Sequence, residues 1–127
     1  MIDIDLRAHL LSNSDISNIV GTGVYAIRLP QDTTTTAIVY DIGAGFPEAQ
    51  VGSLESVVRH NVTLQVYSPS YVTMRQLSEH ITTQLNGMQG TMGSSEVTGA
   101  HMVSAINTYE EEQQLYRNIL ILNIYTH

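Results

Sequence analysis

Between residues 57 and 67 the chain alternates. His60, Val62, Leu64 and Val66 fall on one side of an extended backbone, and Arg59, Asn61, Thr63, Gln65 and Tyr67 on the other. A period of two marks a strand with one face on a core. The period then lengthens. Ser68-Pro69-Ser70 opens a helix, with Pro in its first turn. Met74, Leu77, Ile81 and Leu85 form its apolar stripe and Gly87 stops it, so this helix should lie across the sheet. Upstream, Asp3 caps a first helix carrying Leu6, Leu10 and Leu11, which ends at Ser12-Asn13. Ser14 caps a shorter one in which Ile16, Ile19 and Val20 share a face, stopped by Gly21-Thr22-Gly23. Val24 to Leu29, cut off by Pro30, and Ala37 to Ile42, after four threonines, read as strands.

The C-terminal third predicts a long antiparallel hairpin with arms at His101–Tyr109 and Leu115–Tyr125. Its tip holds Glu110, Glu111 and Glu112 in a row, which repel one another and require water. Ile119 to Leu122 is apolar on both faces, as in a central strand covered on both sides. The expected fold is α+β: a twisted, mostly antiparallel sheet with helices packed on one face, in a single domain spanning 1–127. Two loops interrupt the pattern. Residues 43–55 place Phe46, Val51 and Leu54 where no core is evident, which suggests either contact with a partner or an irregular hairpin packing on itself. Residues 86–99, with Gly87, Gly90, Gly93 and Gly99, read as a flexible connector, since the spacing is not a phosphate-binding fingerprint.

Charge narrows the picture. Twelve acidic residues stand against five arginines and no lysine, a net charge of −7. That argues against gripping nucleic acid through its phosphates, which takes Lys and Arg, though not against a surface that DNA passes. With no cysteine there is neither a disulfide framework nor thiolate chemistry. The acidic start, Met1 to Asp5, lacks the basic and apolar regions of a signal peptide, and no apolar run approaches the ~18 residues of a membrane span. A cytosolic protein, or one assembled in the cytosol, is expected.

Catalytic chemistry finds no support. His9, His60, His80, His101 and His127 are scattered, without the close spacing of a zinc site. Glu79 and His80 are neighbours on the main helix and point in different directions. The three glutamates read better as a solvated tip than as a cation site, and there is no nucleophile elbow. No catalytic residue, cofactor or metal is assigned.

Several segments, taken in order, resemble the tail-completion or tail-terminator proteins of long-tailed bacteriophages and prophages, a family that lambda-like tail terminators resemble in fold. They are the two N-terminal helices, Val24-Tyr25, Leu29-Pro30-Gln31 and Ala37-Ile38-Val39-Tyr40. There follow Leu64-Gln65-Val66-Tyr67, Leu85-Asn86-Gly87, and Tyr109-Glu110-Glu111-Glu112 before Leu115-Tyr116-Arg117 and an apolar strand. The family often has Pro where this chain has threonines before residue 37, and a more aromatic closing strand. The resemblance implies a non-enzymatic, ring-forming virion subunit, typically one of six, assembled in the bacterial host. Such a ring caps the tail tube, ends its polymerisation and offers a surface for head–tail joining. Its implied partners are further copies of itself, the major tail tube protein and the head connector, with DNA passing the lumen unbound. Another neck or head-completion protein is the alternative, followed by a small cytosolic enzyme or ligand-binding domain. On the ring reading, the interface residues are Phe46, Val51, Leu54, Met88 and Met92 in the loops, with Arg59 and Arg117 as intersubunit partners for Glu110, Glu111 and Glu112.

Overall fold

A computed structural model describes residues 2–31, 33–43, 46–48 and 57–126, with backbone alone at 46–48. These comprise three helices, α1 (Ile2–Leu11), α2 (Ser14–Val20) and α3 (Tyr71–Leu85), and seven strands. The strands are β1 (Val24–Ala26), β2 (Ala37–Ile42), β3 (Phe46–Glu48), β4 (Val57–Ser68), β5 (Gly90–Met92), β6 (Ser95–Glu110) and β7 (Leu115–Thr126). They form one sheet in the order β1-β2-β4-β7-β6-β5, and β3 also pairs with β4. Only β1 and β2 run parallel; the other pairs are antiparallel.

The alternation in β4 sets the layers. Val62, Leu64 and Val66 are fully buried beneath the helices, while Thr63 and Gln65 are half-buried on the opposite face. In β7, Leu120, Leu122 and Ile124 share the helix face, and Ile119 and Ile121 are half-buried on the other. Leu6 and Leu10 of α1, Ile16 of α2, and Met74, Leu77, Ile81 and Leu85 of α3 complete the core. The sheet thus carries its helices on one face, as the pattern predicts. Val39, Tyr67 and Leu115 make a smaller cluster behind it, with Leu29 packed against them.

Local chemistry moves several boundaries. The cap of α3 is Ser70, whose side chain accepts from the Thr73 amide at 3.4 Å, so Pro69 lies outside the helix. Asn13, not Ser14, caps α2: its backbone is extended and its side chain accepts from the Asp15 amide at 2.9 Å. Gly87 follows α3 with φ of 78°, a conformation that suits glycine.

The expected connector 86–99 is largely ordered as a hairpin. β5 pairs with the start of β6 through Gly90–Val97, Thr91–Glu96 and Met92–Ser95. This corrects the reading of Met92 as an interface residue. It is 1% exposed and belongs to the core, because the hairpin folds its apolar thioether inward beneath α1. Met88 is half-buried against the same core, which limits what it can offer a partner.

Candidate functional site

Among the described residues, surfaces stand out. β5 covers one edge of β6 only as far as Val97. Asn86 and Gly87 then take over: the Gly87 amide donates to the Ala100 carbonyl at 2.9 Å, and the Met102 amide donates to Asn86 Oδ1 at 3.2 Å. From Val103 to Glu110 no described strand lies beside that edge. Val103, Ile106 and Tyr109 are 56%, 51% and 46% exposed along it. Open strand edges with apolar side chains are docking or aggregation sites unless something covers them.

Beside this edge runs a groove of about 340 Å³ between α3 and the hairpin. Arg75, Ser78, Glu79 and Thr82 of α3 form one wall, and Ala105, Asn118 and Leu120 the other. Asn118 is 2% exposed. Its Nδ2 donates to Asn107 Oδ1 and to the Ile106 carbonyl, but its Oδ1 has no hydrogen-bond partner. A buried acceptor left unpaired costs about 1–3 kcal/mol, which marks Asn118 as a polar point in the groove wall. Ser78 is already satisfied, donating to the Met74 carbonyl at 2.9 Å. Nearer the hairpin tip, Tyr116 meets Tyr71 edge-on at 5.7 Å and Tyr109 at 4.9 Å.

The hairpin tip is held from within the chain. Arg117 pairs with Glu110 at 2.6 Å and also donates to Thr108 Oγ1 and Gln65 Oε1. Glu111 and Glu112 are exposed beyond it. At the opposite end of the sheet the β1 edge is partly closed, since Arg7 donates to the carbonyls of Val24 and Thr22. Just past β1, Ile27 has φ of 70° and is 71% exposed, and Arg28 is exposed beside it.

Of the residues that sequence singled out, Phe46 lies in β3, where only its backbone is described, and Val51 and Leu54 fall outside the described residues. Arg59 is half-buried in β4, paired in register with Tyr125. The structure brings Arg117 and Glu110 together, buries Met92 in the core and leaves Met88 half-buried against it. Sequence reasoning missed Asn118, Ile27 and the groove. A lone polar residue at the head of the apolar run 119–122 was the signal available for Asn118.

Titration is shifted at three places. Asp5 Oδ2 accepts from Ser95 Oγ at 2.6 Å and Ser94 Oγ at 2.8 Å, and these bonds hold its carboxyl at a pKa of about 2. Burial lowers the pKa of His9 and of His60, the latter against an opposing pull from Asp3. Among the described residues no group of three or more His, Asp or Glu side chains is placed to hold a metal ion, and no helix is long and apolar enough to cross a membrane.

An α+β subunit whose distinctive features are an open edge, a groove and a charged tip is a structural, contact-making protein in class. Residues 4–127 match the family described as tail completion protein gp17. The chain belongs to that family, and is accordingly a structural phage tail or neck protein and a component of the virion. Among solved structures it is similar to a chain of the "Virion of native gene transfer agent (GTA) particle", with a TM-score of 0.68 and 16% identity. That likeness covers 95% of this chain and 93% of the other, and at this identity it is one of fold. No curated protein matches the sequence.

Proposed function

We propose that this chain, acting as one domain, assembles into a ring of six copies that caps the tail tube, stops its polymerisation and presents a head-side surface to the connector. Family membership over residues 4–127 is the observation that carries this reading. The open β6 edge, the groove and the exposed acidic tip support it, because a ring subunit needs faces for its neighbours and for the tube. The first loop, with Phe46, Val51 and Leu54, together with Glu111 and Glu112, is assigned to contacts with tube protein or connector. Arg59 is assigned to a subunit contact. DNA passes the lumen without being gripped, in keeping with a chain that has no lysine and a net charge of −7. The role is mechanical, with no catalysed step.

The test adds the purified protein to the polymerising tube protein of the same phage, with electron microscopy of the products. Capping gives tubes of limited length with a ring-shaped density at one end. Tubes that elongate unchanged and bare would sink the reading. Binding to emptied heads instead would assign the chain to head completion.

A further inference from the structure

We propose that copies of this chain join head to tail, Ile27 and Arg28 of one protomer entering the α3–β6 groove of the next. The proposal rests on the ring reading and names the contact that would build it. Ile27 is a β-branched residue held in the left-handed region, φ 70°, which such side chains rarely adopt. Two short backbone bonds fix it there: its amide donates to the Tyr40 carbonyl and the Arg28 amide to the Ala26 carbonyl, each at 2.7 Å. The result is a strained isoleucine that is 71% exposed, and strain of this kind concentrates at working surfaces. Arg28 beside it forms no ion pair among the described residues and is exposed.

The groove has the opposite needs. Ala105 and Leu120 give it an apolar wall. Asn118 Oδ1 is buried without a donor, and Glu79 forms no ion pair among the described residues. A guanidinium, with its planar fork of donors, suits the Glu79 carboxylate. Arg75 lies one turn before Glu79 and repels a second cation, which places the incoming guanidinium on the Glu79 side. Strand addition between the two sheet ends is disfavoured, because Arg7 already occupies carbonyls at the β1 edge. Since β1 and β6 stand toward opposite ends of the sheet, knob and groove lie on different faces of the protomer. Used head to tail, such a contact repeats from copy to copy, and it gives the ring proposed above if its rotation closes.

The absence of cysteine makes cross-linking clean. Protomers carrying Ile27→Cys are mixed with protomers carrying Ala105→Cys and treated with a short bismaleimide, in solution and on tube ends. The mixture is expected to link and each variant alone is not; a chain with both substitutions should give a ladder ending at the closed oligomer. Self-linking of Ala105→Cys alone, or no linking of the mixture under either condition, overturns the contact. Ile27→Asn relieves the backbone strain, so its Tm should hold or rise while association weakens by at least about tenfold. Arg28→Glu and Glu79→Arg should each weaken association similarly and, combined, recover most of it. Association like the wild type in Ile27→Asn overturns the proposal. Tubes capped normally while these tests fail would leave the ring reading standing and remove this contact alone.

Discussion

Arg117 Nη2 lies 2.6 Å from Glu110 Oε1, joining the last residue of β6 to the third residue of β7. The pair closes the base of the acidic tip, so this guanidinium is engaged within its own chain rather than extended toward a neighbour. It also bonds to Thr108 Oγ1 at 3.1 Å and Gln65 Oε1 at 3.2 Å, and lies 5.9 Å from the centre of the Tyr67 ring. One side chain thereby ties β6 and β7 to β4 on the face away from the helices.

The two partners should differ in cost. Glu110→Gln removes only a partly exposed ion pair and should lower stability by under about 1 kcal/mol. Arg117→Leu also strips donors from Thr108 and Gln65 and should cost about 1–3 kcal/mol. Urea unfolding of both variants decides this, and equal losses would mean that the ion pair alone matters.

Burial of the two histidines has a defined pH signature. Both have a folded pKa below the ordinary 6.5, so the unfolded chain takes up protons first as pH falls. Their contribution is intact above the unfolded pKa and lost on acidification from about pH 6.5 downward. His60→Gln, whose side chain can still reach Thr126 Oγ1, should flatten that slope in Tm between neutral and mildly acid pH. An unchanged slope in both His60→Gln and His9→Gln would assign it to other groups.

How much was legible in the sequence depended on how regular each element is. β4 was readable from the alternation that runs through Val62, Leu64 and Val66, and α3 from the stripe of Met74, Leu77, Ile81 and Leu85. The closing hairpin was readable from its charged tip, but not its first arm's true start at Ser95. Register shifts between Val97 and Gly99 and between Met102 and Ser104 break the alternation there. β5 was hidden because three residues that include Gly90 give no periodicity, and only the folded hairpin shows that Met92 is core. Ile27 could not be foreseen at all, since nothing in an isoleucine announces a positive φ. The groove was illegible for a related reason: Glu79, Ala105 and Asn118 meet only through tertiary packing.

Leu122 tests the central strand. It is fully buried on the helix face of β7, paired in register with Val62, and belongs to the main core. Leu122→Ala should cost about 2–5 kcal/mol, through lost transfer energy and the cavity left behind. Ile121, its neighbour on the other face, is only half-buried, so Ile121→Val should cost well under half as much. Comparable losses would show that the second face is as tightly covered as the first.

Asp5 makes the last prediction, because it links the first helix to the β5–β6 hairpin. Its Oδ2 accepts from Ser94 and Ser95 in the turn, and Gly93 packs so close to its carboxylate that a Cβ there would collide with it. Gly93 also has φ of 59°, so Gly93→Ala combines backbone strain with that clash and should lower Tm clearly. The folded carboxyl titrates at about 2, below its ordinary 3.8, so its contribution is present above pH 4 and disappears as pH falls toward 2. Asp5→Asn keeps the shape but loses the charge-assisted bonds, and should remove that part of the acid dependence while lowering stability at neutral pH. The measurement is chemical unfolding at pH 7, 4 and 2.5 for wild type and variant. If the two lose stability in parallel between pH 4 and 2.5, the carboxylate is not what latches α1 to the hairpin.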